Sequence, residues 1–262
     1  MRGNNDKGMV LQERDRRFLE ELAVTRVIDR EQAKMLAGFH STTRANSRLL
    51  KLTKVGLLRR FFLGTSGGGQ KALYALAPDG AALVGVPYRG PRRRRDEVLV
   101  MDSFVTHQLA VNEVYCSLKF GLAPSANTKF VRWLTFFAPL RTGYSLIPDG
   151  YVELQHPQGT LAAFLEVDLG SERQKVWQGK VKEYLRYALS GAFETQFGQA
   201  HFRVLVIAPS ERRSQSIRRV VSAATEKIFW FASFESIRRE SLWSSIWLRP
   251  KGDERQPLLP LP

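Results

Sequence analysis

The chain has 262 residues, 44% of them hydrophobic, and carries 40 Lys/Arg against 25 Asp/Glu for a formal net charge of +15. That length suits two domains or one large one, the composition excludes global disorder, and the positive excess points to a polyanionic partner. A single cysteine, Cys116, excludes an internal disulfide or a cysteine-cluster metal site, and no run approaches the roughly 18 apolar residues of a membrane span.

The polar start "MRGNNDKGMV" has no signal-peptide character, so a soluble cytoplasmic protein without membrane partners is expected. A first unit is predicted over 11–87. Leu11, Phe18, Leu19 and Leu22 recur at near-helical spacing. A second helix comes next in "DREQAKMLAGF", with Asp29 as its N-cap and Gly38 as its stop. The third, capped by Ser41 or Thr42, puts Ala45, Leu49 and Leu52 on its apolar face and Arg44, Arg48 and Lys51 on the other. Two short strands around the Gly-rich "TSGGGQ" complete the order of a winged helix-turn-helix. Its third helix enters the major groove of double-stranded DNA, and its wing, here carrying Lys71, touches backbone. The competing reading of the three basic residues is a solvated helix face. "TSGGGQ" lies between strands and lacks the Gly-Lys-Ser/Thr ending of a phosphate-binding loop.

Residues 88–100 read as a basic linker. Its run Arg92, Arg93, Arg94 and Arg95 serves either as a solvated spacer or as a grip on phosphates. A second unit is predicted over 101–250. It opens with a helix from Asp102 or Ser103, continues with strands in "KFVRWLTFFAPLR", "YSLIPDGYVELQ" and "GTLAAFLEVDLG", then a long helix in "SERQKVWQGKVKEYLRYALSG". The apolar strand "HFRVLVIAPS", a helix in "ERRSQSIRRVVSAATEK", and late strands in "IFWFASFESI" and "SIWLRP" finish an αβββαβαβ order, an α/β (α+β) class overall. The Pro-rich tail 251–262 is expected to be loose.

Three acids gather where these strands end. Asp149 opens "DGYVEL", and Glu166 and Asp168 stand two apart on one strand, so both side chains face the same side. Carboxylates grouped in this way suit a hard cation such as Mg²⁺ for phosphodiester hydrolysis. The plain alternative is that they are exposed strand ends or helix caps, with Asp168 and Ser171 capping the long helix.

"IPDG" with "FLEVD" after it resembles the PD-(D/E)xK nuclease motif, with Pro148-Asp149 as its PD and Glu166 as its acid. Asp168 stands where that family has lysine, and an Asp cannot supply the cation that stabilises the attacking hydroxide. Some members of the superfamily carry the lysine on the next helix. The resemblance therefore implies Lys180, chosen over Lys175 and Lys182 because it shares a helical face with Tyr184. It also implies Asp149, Glu166 and Asp168 as ligands of Mg²⁺ or Mn²⁺, with Glu113 on the preceding helix as a further ligand.

The chain as a whole is similar to the replication-relaxation family of plasmid and mobile-element proteins. The similarity runs through "LQERDRRFLEELAVTRVIDREQAKML", "RLLKLTKVGLLRR", "YALAPDGAALVG", "HQLAVNEVY", "IPDGYVEL" and "EVDLGSE…KVKEYLRY". It implies a winged helix joined to a nuclease-like domain that works in DNA replication or mobilisation, with partner replication or mobilisation proteins. The basic, two-domain character of the chain separately suggests a homodimer on a symmetric site. His40, His107, His156 and His201 are scattered, so neither a zinc site nor a tyrosine/three-histidine relaxase is expected. Two readings stay open: an endonuclease that nicks or cleaves DNA, and a non-catalytic DNA-binding initiator or regulator that keeps a degenerate nuclease fold.

Overall fold

In a computed structural model of the chain, residues 9–64, 68–89, the backbone of 98–99, and 102–259 are described. The expected Arg92–Arg95 grip lies outside them.

Helix α1 (Glu13–Thr25) buries Phe18, Leu19 and Leu22, and a reciprocal pairing of Gln12 and Asp15 closes its N-terminus. Strand β1 (Val27–Asp29) comes next; three buried residues are too few to show a period. Asp29 caps helix α2 (Arg30–Ala37) by accepting from the Gln32 backbone N–H at 2.8 Å. Gly38 ends α2 at φ 63°, a left-handed turn that suits a residue without a side chain. Helix α3 (Thr42–Lys54) is capped by Ser41 and turns Ala45, Leu49 and Leu52 inward.

Strands β2 (Leu58–Gly64) and β3 (Gln70–Leu76) pair as an antiparallel hairpin. In that sheet β1 lies against the far side of β3 and β4 (Val98–Leu99) runs parallel to β2, giving the order β1-β3-β2-β4. Along the chain, the short helix α4 (Pro78–Leu83) stands between β3 and β4.

Helix α5 (Ser103–Phe120), capped by Asp102, crosses the division between two compact units, which falls between Cys116 and Ser117. Periodicity marks α5 as a helix, and the sequence groups it with the strands of the second unit. Its polar residues tie most of it to the first unit instead. Asn112 donates to the carbonyl of Thr25 at 3.0 Å, a group that the end of α1 leaves open, and to that of Val27 in β1 at 2.6 Å. The Gln32 side chain donates to the Leu109 carbonyl at 2.7 Å.

The second unit is built on a five-stranded sheet of β5 (Lys129–Leu134), β6 (Gly150–His156), β7 (Gly159–Val167), β8 (Arg203–Ala208) and β9 (Phe229–Ser233), in that order. The first three strands are antiparallel, joined by a tight turn between β6 and β7. The step from β7 to β8 is parallel and needs a crossover, supplied by α6 (Gln174–Leu189) and the short α7 (Ala192–Phe197). Helix α8 (Glu211–Ser222) makes the second crossover, to β9.

One face of this sheet packs a cluster of rings around Phe164, with Phe202 at 5.0 Å, Tyr151 at 5.2 Å, and Tyr184 and Phe193 at 5.8 Å between centroids. The expected late strands differ. "FESI" leaves the sheet as helix α9 (Phe234–Arg239), because Ser233 caps it through the Ser236 N–H. "SIWLRP" forms only isolated bridges, Phe231 with Leu248 and Trp247 with Gln256. The class is α+β, as expected. No helix among the described residues is long and apolar enough to cross a membrane.

Candidate functional site

β7 is the central strand, where the antiparallel and parallel halves of the sheet meet, and its C-terminal end carries the acids. Glu166 is 1% exposed and faces α6. Its two carboxylate oxygens accept from Lys180 Nζ at 2.7 Å and Tyr184 Oη at 2.6 Å. Those donors lie one helical turn apart on α6, so a single helix face grips the carboxylate from two sides. Lys180 also reaches Glu172 Oε1 at 2.7 Å and stands 5.1 Å from the centre of the Trp177 ring.

Asp149 enters from the segment before β6. Its backbone N–H donates to the Leu165 carbonyl at 3.0 Å, and its carboxylate accepts from the Val167 N–H at 2.7 Å. This places it at the mouth of the same strand end, close enough that its charge acts on Glu166.

Burial pushes the Glu166 carboxyl up, to about 7. Repulsion from Asp149 adds to the rise, while Lys180 and Tyr184 pull against it. Burial alone would make Lys180 easier to deprotonate, but Glu166 and Glu172 outweigh it and hold the ammonium charged well above its ordinary range. The Tyr184 phenol is held well above its usual value, first by burial and then by the neighbouring Glu166 carboxylate. It stays a donor.

Asp168 shares the face of Glu166, as its spacing requires, yet joins a different group. Trp177 Nε1 donates to it at 2.8 Å, and Arg213 of α8 approaches both oxygens, at 3.2 and 2.7 Å. The Gly170 N–H also donates to it. Burial opposes the charge on Asp168, but these partners hold its carboxyl below the ordinary range. Arg213 extends to the Glu172 carbonyl as well. Asp168, expected as an auxiliary ligand, is thus a bolt between the strand end, α6 and α8.

Lys175 and Lys182 are exposed on α6. Glu113 lies on α5 within the first unit, whereas the β7 cluster is made of second-unit residues. Among the described residues no group of three or more His, Cys, Asp or Glu is placed to hold a metal ion. Asp149 and Glu166 come together as a pair, already matched to an N–H, an ammonium and a phenol.

The basic residues of the first unit divide similarly. Arg44 and Lys51 are exposed on α3, as is Lys54. Arg48 turns inward: its Nε donates to Asp15 Oδ1 at 2.8 Å and a second nitrogen binds the same carboxylate, which is 1% exposed. Lys71 on β3 pairs with Asp29 at 2.5 Å with its side chain 46% exposed.

Sequence reasoning singled out neither Glu172 nor Arg213. Glu172 lies just before α6; one oxygen holds Lys180, and the other is buried without a partner among the described residues. Arg213 looks like any charge on a polar helix. Its role rests on the parallel crossover that lays α8 beside α6 and β8, which no local pattern encodes.

A family profile described as "Replication-relaxation" matches residues 16–201. No curated protein and no solved structure matches the chain.

Proposed function

The chain belongs to the replication-relaxation family, and on that premise we propose that it is a double-stranded-DNA-binding protein of a mobile element whose second unit hydrolyses phosphodiesters. The observation that carries the reading is the 2.7 Å contact of Lys180 Nζ with Glu166, beside Asp149. It sets an acid pair and a cation at one strand end, although the lysine comes from a helix and not from the strand.

Asp149 and Glu166 would hold Mg²⁺ or Mn²⁺. Mg²⁺ commonly takes one or two protein carboxylates and completes its shell with water and substrate phosphate, so two acids fit it where a closed protein cage would not. When bound, the ion supplies a polarised phosphate and a water of lowered pKa. Lys180 keeps a positive charge where negative charge builds on the phosphoryl oxygens. Tyr184 orients Glu166 by donating to it, and the apolar wall of α6 keeps bulk water away. The orphaned oxygen of Glu172 is a spare acceptor at the same place.

The first unit would deliver the site to its DNA. Its element order supports a winged helix, with Arg44, Lys51 and Lys54 on the open side of α3. Replication or mobilisation proteins, and a second copy on a symmetric site, are the partners this reading entails.

The test is conversion of supercoiled plasmid to nicked or linear form with Mg²⁺ or Mn²⁺. Loss of cutting in Asp149→Ala, Glu166→Ala and Lys180→Ala, with DNA affinity retained, supports the reading. Cutting that survives all three substitutions refutes it.

A second reading, a DNA-binding replication protein with a chemically silent nuclease fold, is favoured by the self-matched state of the acids. Tight DNA binding without cutting by the wild type under every divalent cation tried would select it.

A further inference from the structure

Away from the β7 cluster, β8 and β9 hold a second charged group with a different character. Trp230 on β9 is 6% exposed, and its indole N–H is buried with no acceptor among the described residues. Two guanidinium groups stand against that ring, Arg203 with its Cζ 4.0 Å and Arg249 with its Cζ 4.8 Å from the centroid. Both residues are partly buried.

Neither guanidinium has a carboxylate among the described residues. Arg203 donates to the Leu258 carbonyl at 2.6 Å, and Arg249 makes a long bond to the Glu226 carbonyl at 3.4 Å. Two acids in this region of the chain are engaged elsewhere. The Glu226 carboxylate takes Lys251, and Asp253 takes Arg218.

Burial, with repulsion from Arg249, pulls the Arg203 guanidinium down to about 10, and burial lowers Arg249 as well. Two like charges against one ring, with an N–H donor on the rim of the same ring left unanswered, is an unfavourable arrangement for the free protein. An anion that met the guanidinium forks and the indole N–H would relieve all three deficits.

We propose that Arg203, Trp230 and Arg249 form a phosphate-binding site, separate from the β7 cluster, that receives one phosphate group of a polynucleotide backbone or of a phosphorylated small ligand. Planar guanidinium forks match tetrahedral oxyanions. A chain of net charge +15 that gives neither guanidinium a carboxylate among its described residues leaves this pair to an external anion. The site holds whether or not the β7 cluster cuts DNA.

The experiment titrates the full chain with inorganic phosphate, against chloride at equal ionic strength, and follows thermal midpoint and arginine side-chain NMR signals. It compares the wild type with Arg249→Gln and Trp230→Phe. Phosphate should raise the wild-type midpoint and shift the Arg203 and Arg249 side-chain signals, and each variant should weaken the binding on the order of tenfold. Arg249→Gln removes a repulsion together with a cation–π contact, so the shift that phosphate produces, and not the starting midpoint, is the readout. Trp230→Phe keeps the ring but lacks the N–H, so it separates the donor from the packing.

Duplex and single-stranded oligonucleotides form the second arm. A weaker affinity in Arg249→Gln, with a salt slope reduced by about 0.9, assigns the site to backbone phosphate. Unchanged oligonucleotide binding with phosphate binding lost assigns it to a free phosphorylated ligand. Phosphate binding equal in wild type and both variants, or a wild type that ignores phosphate, overturns the proposal. The inorganic-phosphate arm needs no DNA binding, so its outcome is independent of the DNA-binding reading.

Discussion

Lys180→Met takes away an ammonium and leaves most of the stem that packs beside Trp177. Glu166 is 1% exposed, so its charge would then keep one donor, Tyr184 at 2.6 Å, with Asp149 repelling it. Breaking a buried ion pair from one side costs about 3–5 kcal/mol. The Lys180 side chain is 22% exposed, and solvent screening with the surviving phenol bond brings the figure to about 2–3 kcal/mol near neutral pH or above.

The penalty should depend on pH, and its sign is set by the direction of the Glu166 shift. Burial has already raised that carboxyl to about 7 in the folded chain, and losing Lys180 raises it further. A carboxyl whose folded pKa lies above its unfolded value of about 4.3 stabilises the fold below that value and loses the contribution as pH climbs through the folded pKa. Lys180→Met should therefore cost least near about pH 5, where Glu166 is a neutral acid that needs no cation, and most near about pH 8.

Urea unfolding in EDTA, tracked by tryptophan fluorescence at both pH values, measures this. The double variant Lys180→Met/Glu166→Gln removes the stranded Glu166 charge and should recover most of the loss at the higher pH. A penalty that is flat with pH, or largest in acid, refutes the coupling. A double variant no better than the single one removes the orphaned carboxylate as its cause.

Arg48→Ala should destabilise the first unit by about 2–4 kcal/mol, read as the urea midpoint, because it strands the buried Asp15 carboxylate; Arg44→Ala should stay within about 0.5 kcal/mol of wild type. In fluorescence anisotropy against duplex DNA, Arg44→Ala with Lys51→Ala should lower affinity and reduce the salt slope by about 2, roughly one for each lost phosphate contact. Asp168→Asn should cost about 2–3 kcal/mol at neutral pH by weakening the Arg213 pairing. Since the folded pKa of Asp168 is depressed, that difference should shrink as pH falls through it, which a pH series of unfolding curves checks. Gly150→Ala would put a methyl group 2.4 Å from Trp133 Cζ2; a stability loss of about 1–3 kcal/mol, seen as a lowered thermal midpoint, is expected, and a neutral substitution would contradict the packing of β5 on β6.

Features that local chemistry dictates were legible in the sequence. Asp29, Gly38, Ser41 and Asp102 cap or stop the helices expected of them, because capping uses a side chain within three residues of its partner. Glu166 and Asp168 share a face because strand periodicity is two. Lys180 and Tyr184 meet one carboxylate because helix periodicity is near four. Partner choice was not legible. Arg48 has the position of a groove-reading residue, and only the packing of α1 against α3 supplies Asp15. Asp168 passes to Arg213 through contact across 45 positions of chain, and Asn112 binds carbonyls more than eighty residues earlier. Such pairings arise from tertiary geometry, to which a periodic pattern is blind.

The acid–lysine cluster is compact along the chain as well as in space. Asp149 closes on Val167 across 18 positions, and Glu166 takes Lys180 across 14 and Tyr184 across 18. Contacts of that range belong to the β6–β7 hairpin and the first crossover helix, whose loops close early in folding. The contact of Asp168 with Arg213 spans 45 positions, a longer closure that forms later. Glu166 should thus meet its cation while water still reaches it, before Arg213 and α8 seal the strand end. In that order of events the chain never has to carry a bare carboxylate into its interior, and a slow step in refolding would fall on the docking of α8, with the ion pair already made.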